Sequence, residues 1–366
     1  MKRVIVGLMI IMILLSGCGK QDEIYFAFFF SDVFSSKTES SHLVLLNAIS
    51  QYEEDHPNVK IHYTTGVVKE DYLDHVNDMI LSGNSPDIMF LYAEDLEDYV
   101  ELQALQSLER FLPDMEQYYP CAVDSVTCQG RVYGLPFQIS PMIMAVNMDI
   151  LNRVGIREIP LEWTIDDLLE ISRKIVDAGY MPVCNYTMEH IKAALSDENT
   201  SDYDEFLQTI QTENYFTILN LIFDTNLANE EDFKAGKVAF MPMKYPEYVL
   251  YHRPPYNIKN YVDFDLQCLT MPGDPDGQYC SVTEHTLLTM SRNAKHKQVA
   301  YDFMCYLSQE LAVQKDTFRY SGGVSAVQGM TGNEEIREIY DTYLLKNDID
   351  KEMKIIEYML QNSRAK

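Results

Sequence analysis

The stretch Gly130–Gly155 reads GRVYGLPFQISPMIMAVNMDILNRVG and contains two apolar runs of the kind that form buried strands. Pro136 and Pro141 fall within this stretch, and each proline lacks the N–H that a regular ladder needs. We therefore expect the chain to leave one sheet near Pro136 and to enter another near Met142, which makes this stretch a crossover between two lobes. The two runs and the short helix predicted after them are Val132–Phe137, Met142–Asn147 and Met148–Val154.

The pattern G-[KR]-x-Y-G-L-P, followed by apolar residues, N-x-D-[IL]-L and a Gly, resembles the crossover of extracellular solute-binding proteins of ABC importers. The group in question includes the sugar-binding, maltose-binding type. Other motifs that resemble this family occur before and after the crossover, in the expected order along the chain. They are Ser85–Tyr92, Pro160–Asp167, Phe233–Met241, Met271–Gly277 and Lys295–Ser308. The resemblance implies an α/β, two-lobe periplasmic-binding-protein-like fold (type II). Each lobe would be a mostly parallel sheet flanked by helices, and crossover hinge strands would join the lobes.

Hydrophobic periodicity predicts regular elements before the crossover. Apolar runs predict strands at Ile24–Phe30 and Val59–Tyr63. A helix is predicted over Lys69–Ser82, because its apolar residues recur at helical spacing and form one stripe. These stripe residues are Tyr72, Val76, Met79 and Ile80.

The first 17 residues have the features of a targeting segment. Lys2 and Arg3 precede the apolar run Val4–Leu15, which is short for a membrane span. The ending Leu15-Ser16-Gly17-Cys18 resembles a lipoprotein lipobox, so residues 1–17 are predicted to be a lipoprotein signal peptide. Cys18 would be lipidated, and 18–23 would form a tether at the extracellular face of the bacterial cell membrane (the periplasmic side if the cell has an outer membrane). A plain secretory signal with a chance Cys, or an uncleaved anchor, is the alternative.

The length of 366 residues exceeds what one core usually serves, so two lobes are expected. We assign lobe 1 to 24–137 plus 273–318 and lobe 2 to 138–272 plus 319–366. Rotation between the lobes is expected at Leu135–Ser140 and Leu269–Gly273.

The formal net charge of −27 is spread along the chain and argues against nucleic acid, whose phosphates it would repel. It also argues against a polybasic membrane-binding face. No second long apolar run occurs, so the predicted contact with the membrane is the lipid anchor.

Seven cysteines leave an odd count, which lipidation of Cys18 would explain. No C-x-x-C pair occurs, so zinc and thioredoxin-type chemistry are not expected. Cys121–Cys128 and Cys268–Cys280 each bracket a loop and could be disulfides outside the cell, with free buried thiols as the equal alternative.

Candidate ligand-binding residues in lobe 1 follow two predicted strands. Phe30 and Asp32 come at and after the end of the first strand, and ligands gather beyond strand ends in open α/β sheets. Tyr92, Glu94 and Asp95 stand at the end of the Ser85–Tyr92 segment, where the resemblance places ligand-contacting side chains. Alternatively, Glu94 and Asp95 occupy the first turn of the next helix, which the helix dipole favours.

The crossover and lobe 2 supply the other candidates. Gln138 and Ser140 lie in the crossover, and Ser140 stands where many relatives carry an acidic residue. The resemblance implies an aromatic ligand contact near Tyr245 or Tyr248, with packing inside the lobe as the alternative for each. Trp163, the single Trp, precedes a helix start and is predicted to pack rather than to bind sugar.

No zincin, nucleophile-elbow or Walker motif occurs, so we expect no enzyme activity, no cofactor and no metal. The predicted function is capture of a small solute, a mono- or oligosaccharide, between two lobes and its delivery to ABC transporter permease subunits. The protein is predicted to be a monomer that binds no nucleic acid. The rival interpretations are a lipid-anchored sensor or adhesion module with the same fold, and a surface glycosidase.

Overall fold

The computed structural model describes residues 21–29, 41–64, 67–187, 189–191, 228–251, 262–273, 281–343 and 348–365. The signal segment, Cys18, Phe30, Asp32 and Cys280 lie outside the described residues. The strands are β1 Asp22–Ala27, β2 Val59–Tyr63, β3 Ile88–Tyr92, β4 Thr127–Cys128, β5 Arg131–Val132, β6 Gly134–Asn147, β7 Met181–Val183, β8 Val238–Lys244, β9 Leu266–Leu269, β10 Ser281–Met290, β11 Val324–Ser325 and β12 Ser363–Ala365. The α-helices are α1 Ser41–Asp55, α2 Lys69–Leu81, α3 Leu96–Glu101, α4 Pro120–Ser125, α5 Met148–Arg153, α6 Ile165–Asp177, α7 Glu230–Lys234, α8 Tyr245–Tyr251, α9 Lys297–Gln309, α10 Leu311–Ser321, α11 Glu334–Tyr343 and α12 Ile349–Asn362.

The main sheet has parallel strands at both ends and antiparallel strands in its middle. Its strand order is β2-β1-β3-β10-β6-β8-β7. Strands β1, β2 and β3 are parallel, as are β7 and β8. Between them, β10 runs antiparallel to β3 and β6, while β6 runs antiparallel to β8 and β9. The strands β6 and β10 therefore connect the two parallel parts of the sheet.

The expectation that the chain leaves the first sheet near Pro136 is wrong, because the two predicted strands belong to one continuous strand of 14 residues, β6, which pairs with β10 as far as Pro141. Pro136 is tolerated near an irregularity in the β6–β10 ladder, where the register shifts. Pro141 lies where one edge of β6 changes partner: pairing with β11 ends at Ile139 and pairing with β8 starts at Met142. Pro141 is also the last residue of β6 that pairs with β10, opposite Thr283. The change of sheet partner along β6 agrees with the predicted crossover.

The second crossover strand is β10 rather than the predicted segment Leu269–Gly273. Residues Thr283–Thr289 of β10 pair with β6, and the end of β10 pairs with β3. Leu269 instead ends β9, and Gly273 bridges to Thr164 at the start of α6. The chain therefore crosses between the two parallel sheets through two strands that are hydrogen-bonded to each other.

Buried apolar side chains of the described residues form three clusters on the two sides of this crossover. The first cluster packs β1, β2, β3 and the end of β10 against α1, α2 and α9. The second packs Ile143 and Ala145 of β6 against α8, α11 and α12, while the third packs Met144 and Val146 against α5 and α6. This alternation along β6 is expected for a strand covered on both faces. The lobe boundaries given above stay a prediction.

The start of α6 follows the sequence prediction. Thr164 is the N-cap, and its side chain and that of Asp167 form a reciprocal capping box. Trp163 is buried, and its indole N–H donates to the carbonyl of Thr270 at 2.8 Å. Its ring packs against Phe240. Trp163 therefore has the packing role that was predicted.

Cys121 and Cys128 carry free, buried thiols, so the disulfide alternative for this pair is wrong. Cys121 donates instead to the carbonyl oxygen of Leu360 in α12. Cys268 is also free and buried. Burial raises the pKa of the Cys121 thiol to about 12, which keeps it protonated and unreactive.

Candidate ligand-binding site

One face of the two crossover strands is polar and partly exposed. In β6 the half-buried residues Gln138, Ser140 and Met142 alternate with buried neighbours. In β10 the half-buried residues Glu284 and Thr286 do the same. Because strand side chains alternate with a period of two, these residues share one face of the sheet.

The strand register brings the residues of this face into rows. Thr286 pairs with Tyr92 of β3 on one side and with Gln138 of β6 on the other. One step along, Glu284 pairs with Ser140. At the next step Met142 pairs with Lys244, the last residue of β8. We call this surface the crossover face; it comprises Tyr92, Gln138, Ser140, Lys244, Glu284 and Thr286.

A carboxylate at the centre of the crossover face lies between two lysines. Glu284 Oε2 is 2.5 Å from Lys244 Nζ, and Glu284 Oε1 is 3.9 Å from Lys69 Nζ. Lys69 begins α2 on the β1–β3 side, whereas Lys244 ends β8 on the other side. The three side chains are 32–41% exposed, so each ion pair contributes only about 0–1 kcal/mol to folding stability. Their main effect is to place charge where the two sides meet.

Tyr92 supplies the aromatic surface of the crossover face. Lys69 Nζ lies 4.5 Å from the centroid of the Tyr92 ring, and the Phe29 ring lies 5.8 Å from it. Burial, followed by the negative charge of Glu284, raises the pKa of Tyr92 well above its usual value. The phenol therefore stays protonated at physiological pH and can donate a hydrogen bond.

Gln138 is held against a glycine of the β11 segment. A Cβ atom at Gly323 would lie 2.1 Å from both Cδ and Nε2 of Gln138. A Cβ at the preceding Gly322, which has a φ of +71°, would contact Pro246 of α8 at 3.2 Å. Only glycine lets the backbone come this close, so Gly323 creates the space that Gln138 occupies.

The two acidic residues predicted near Tyr92 have different environments. Glu94 is exposed. Asp95 accepts the backbone N–H of Tyr92 at 3.3 Å, and burial raises the pKa of its carboxyl group. This hydrogen bond caps the short 3-10 turn Ala93–Asp95, which agrees with the alternative that these acids open the next helix.

Tyr245 and Tyr248 are fully buried rather than part of the crossover face. The Tyr245 hydroxyl donates to Glu352 Oε1 at 2.7 Å, and the Tyr248 hydroxyl donates to Glu352 Oε2 at 3.4 Å. Glu352 belongs to α12 and is itself buried. These contacts favour the packing alternative, and a ligand contact from either tyrosine stays a prediction.

Three charged residues of the site were not predicted from the sequence. Lys69 and Lys244 are ordinary helix and strand ends in the sequence, and Glu284 sits beside His285, a lone histidine. The structure shows that His285 points to the opposite, buried face and contacts Thr283. In the sequence, the polar residues Glu284 and Thr286 stand two positions apart, and their immediate neighbours in the strand are buried. This spacing could have predicted that one face of the strand is exposed.

Among the described residues, no group of three or more His, Cys, Asp or Glu is arranged to hold a metal ion. In the same part of the chain, no helix has the length and apolar character needed to cross a membrane.

Solved structures of bacterial solute-binding proteins are similar to this chain in fold. An ABC substrate-binding protein of Listeria monocytogenes in complex with cycloalternan has a TM-score of 0.68 at 18% identity, covering 94% of this chain and 88% of that one. The sugar-binding protein MalE of Xanthomonas citri has a TM-score of 0.71 at 15% identity, covering 94% and 86%. A family 1 extracellular solute-binding protein of Alicyclobacillus acidocaldarius has a TM-score of 0.71 at 15% identity, covering 95% and 88%. These similarities confirm the predicted two-lobe type II fold.

Sequence comparison agrees with the fold. A 93-residue segment, 25% of this chain, is 30% identical to an uncharacterized ABC transporter extracellular-binding protein of Pyrococcus horikoshii. That match spans 22% of the relative's length. The family model described as "Bacterial extracellular solute-binding protein" matches residues 47–338, which is most of the chain and includes the whole β6 crossover. The chain therefore belongs to the bacterial extracellular solute-binding proteins, as its crossover motif predicted.

Proposed function

We propose that this protein captures a carbohydrate between its two lobes and delivers it to the permease subunits of an ABC transporter. It acts as a monomer outside the cell, tethered to the membrane through a lipid on Cys18. The observation that supports the proposal is the crossover face. There, polar and aromatic side chains from the two parallel parts of the sheet meet on one partly exposed surface.

The chemistry of the crossover face suits a sugar. Sugar hydroxyls are bound by planar polar groups, which Gln138 and Glu284 provide, and charge-assisted hydrogen bonds are the stronger ones. The C–H face of a sugar ring packs on an aromatic ring, which Tyr92 provides. Phe30, Asp32, Glu94, Asp95 and Ser140 complete the proposed lobe 1 and crossover contacts. Two of the similar solved proteins are bound to carbohydrates, cycloalternan in one and maltotetraose in the other.

The crossover strands also suit a closing motion. Because β6 and β10 pair with each other, the lobes can rotate about this ribbon while the parallel sheets on either side stay intact. Lys69 and Lys244 approach Glu284 from opposite sides. Closure around a sugar would therefore tighten a charged contact that already spans the crossover.

We also propose that the protein binds its ligand without chemical turnover. Glu284 is engaged by two lysines, and Asp95 by the backbone N–H of Tyr92. Both carboxylates are thus already used in these contacts, whereas a glycosidase needs one carboxyl group free to act as general acid and a second as base or nucleophile.

The test is a panel of neutral mono- and oligosaccharides in thermal-shift and calorimetric titrations of the purified protein. A sugar that binds should lose at least tenfold in affinity when Tyr92 and Gln138 are both replaced by alanine. Tyr180→Ala, an aromatic truncation beside Arg153 and away from the crossover face, is the matched control. Binding that survives the double change would refute the proposed site, and release of reducing sugar from a glycan would support the glycosidase alternative.

A further inference from the structure

Three cations cluster at the end of lobe 1 that lies farthest from the crossover face. Lys297 Nζ donates to the backbone oxygen of Arg292 and to Gln106 Oε1, each at 2.6 Å. Arg292 donates to Gln103 Oε1 at 2.6 Å. The Arg110 guanidinium lies over the Phe111 ring, 4.5 Å from its centroid. Neutral amides, a carbonyl and an aromatic ring thus hold all three cations.

These cations have no acidic partner within ion-pair distance in the part of the chain that the structure describes. Burial, followed by the positive charges of Arg110 and Arg292, lowers the pKa of Lys297. The neighbouring carboxylate of Glu109 is instead hydrogen-bonded to the backbone N–H of Val132. Arg110 and Arg292 are both exposed, in a chain whose formal net charge is −27.

Two strongly exposed leucines flank the cation cluster. Leu102, next to Gln103, is 73% exposed, and Leu112, two residues after Arg110, is 84% exposed. Leu112 has a φ of +51°, a left-handed conformation that costs roughly 1–2 kcal/mol for an ordinary residue and is usually left to glycine. The fold therefore holds an apolar side chain in water beside three cations.

The first described residues of the chain lie at the same end of lobe 1. Strands β1 and β3 run from this end toward the crossover face, since Ile88 pairs with Met290 and Tyr92 with Thr286. Asp22, the first residue of β1, is 2.9 Å from His296 Nδ1, next to Lys297. Cys18 precedes Asp22 by only four residues, a reach of at most about 14 Å.

We propose that this surface, the pole patch (Leu102, Arg110, Leu112, Arg292 and Lys297), rests on the anionic phospholipid headgroups of the membrane. The inference depends on the proposed lipid tether at Cys18, which would hold the patch within reach of the bilayer. Cations bind headgroup phosphates, and exposed leucines enter the interfacial layer.

The experiment uses the full-length protein reconstituted in vesicles of phosphatidylcholine alone or mixed with phosphatidylglycerol. Amine labelling of the exposed Lys295 is measured against Lys354 on α12 by mass spectrometry. Because the N-terminal anchor attaches the protein to both kinds of vesicle, the readout is the difference in relative Lys295 labelling between the two kinds. We expect phosphatidylglycerol to reduce Lys295 labelling roughly fivefold, the effect of about one surface cation, and high salt to restore it.

The paired substitution Arg110→Glu with Arg292→Glu should abolish this protection. The control, Arg157→Glu with Arg173→Glu, makes the same charge change on exposed residues of lobe 2 and should keep it. Equal labelling on both vesicles, or protection that survives the first pair, overturns the pole patch. Protection seen only in native membranes would assign the patch to a protein partner and also overturn the proposal. Failure to attach to either vesicle overturns the tether as well, whereas sugar binding in the same vesicles tests the proposed function separately.

Discussion

Gln138 depends on the missing side chain of Gly323 for its position in the crossover face. In Gly323→Ala the new methyl group would overlap the Gln138 amide, which is the flexible end of a side chain and can rotate away. We expect the affinity for the transported sugar to fall about tenfold, the value of roughly one hydrogen bond, while the melting temperature changes little. Calorimetric titration and thermal denaturation measure the two effects.

Gly332→Ala is the control for this substitution, because a Cβ at Gly332 meets no atom within 4 Å. Unchanged affinity in Gly323→Ala, with the Gln138 side chain seen to be displaced, would remove Gln138 from the site.

Tyr245 offers a second test at the level of one atom. In Tyr245→Phe the buried carboxylate of Glu352 loses a hydrogen bond of 2.7 Å. Because hydrogen bonds to charged groups are worth about 1.5–3 kcal/mol, we expect the free energy of unfolding to fall by about this amount. Denaturant titration measures the change, and sugar affinity should stay the same if Tyr245 only packs.

Tyr180→Phe serves as the comparison, since it removes a hydroxyl group at the surface beside Arg153 and should shift stability by less than about 0.5 kcal/mol. A loss of sugar affinity in Tyr245→Phe without loss of stability would instead favour the predicted ligand role.

Sequence reasoning could not distinguish these roles at the residue scale. Tyr92 ends one apolar strand and Tyr245 follows another, yet only the strand register shows that Tyr92 shares a face with Gln138. Glu352 lies more than a hundred residues from Tyr245, so their hydrogen bond has no local signal. Lys69, Lys244 and Glu284 likewise meet only through tertiary structure.

At the scale of elements, the sequence pattern predicted the strand and helix bounds that depend on neighbouring residues. The strand Val59–Tyr63 has its predicted bounds, and α2 ends one residue before the predicted Ser82. The capping box at Thr164 was also readable from sequence. The continuous strand β6 was not, because its prolines are tolerated only through a register shift and a change of partner strand.

The last helix, α12, should be indispensable for folding. It buries five apolar side chains: Met353, Ile355, Ile356, Met359 and Leu360. At about 1.5–3 kcal/mol for each, their burial is on the order of 10 kcal/mol, which is comparable to the whole stability of a typical protein. We expect a chain truncated after residue 348 to lack cooperative thermal unfolding in a calorimetric scan.

Removal of 363–366 alone is the control for the truncation, because it takes away only β12 and should leave a cooperative transition. A truncated protein without α12 that melts within a few degrees of the full chain would show that the second cluster forms without this helix.

At the scale of the whole molecule, ligand binding should both close and stabilise the protein. A sugar that binds only the folded state adds about 2.7 kcal/mol at a hundredfold excess over its Kd. We expect the melting temperature to rise and the radius of gyration in small-angle X-ray scattering to fall together. Stabilisation without compaction would indicate binding to one lobe and would contradict closure about β6 and β10.

The architecture was predictable because an ordered set of motifs, from the Ser85–Tyr92 strand to the Lys295–Ser308 helix, spans the chain. The second crossover was missed at this scale, since it was expected at Leu269–Gly273 whereas β10 carries it. Which strands pair in the middle of a sheet depends on contacts between distant segments, and a single sequence does not encode these in any short pattern.

The pairing of β12 with β10 has a practical consequence. Ala365 lies opposite Thr283, one residue from Glu284 along the shared ribbon. A fluorescent reporter attached at Ala365 would therefore lie beside the strand about which the halves turn. Its emission should respond to sugar occupancy, which makes this chain a suitable framework for a reagentless biosensor.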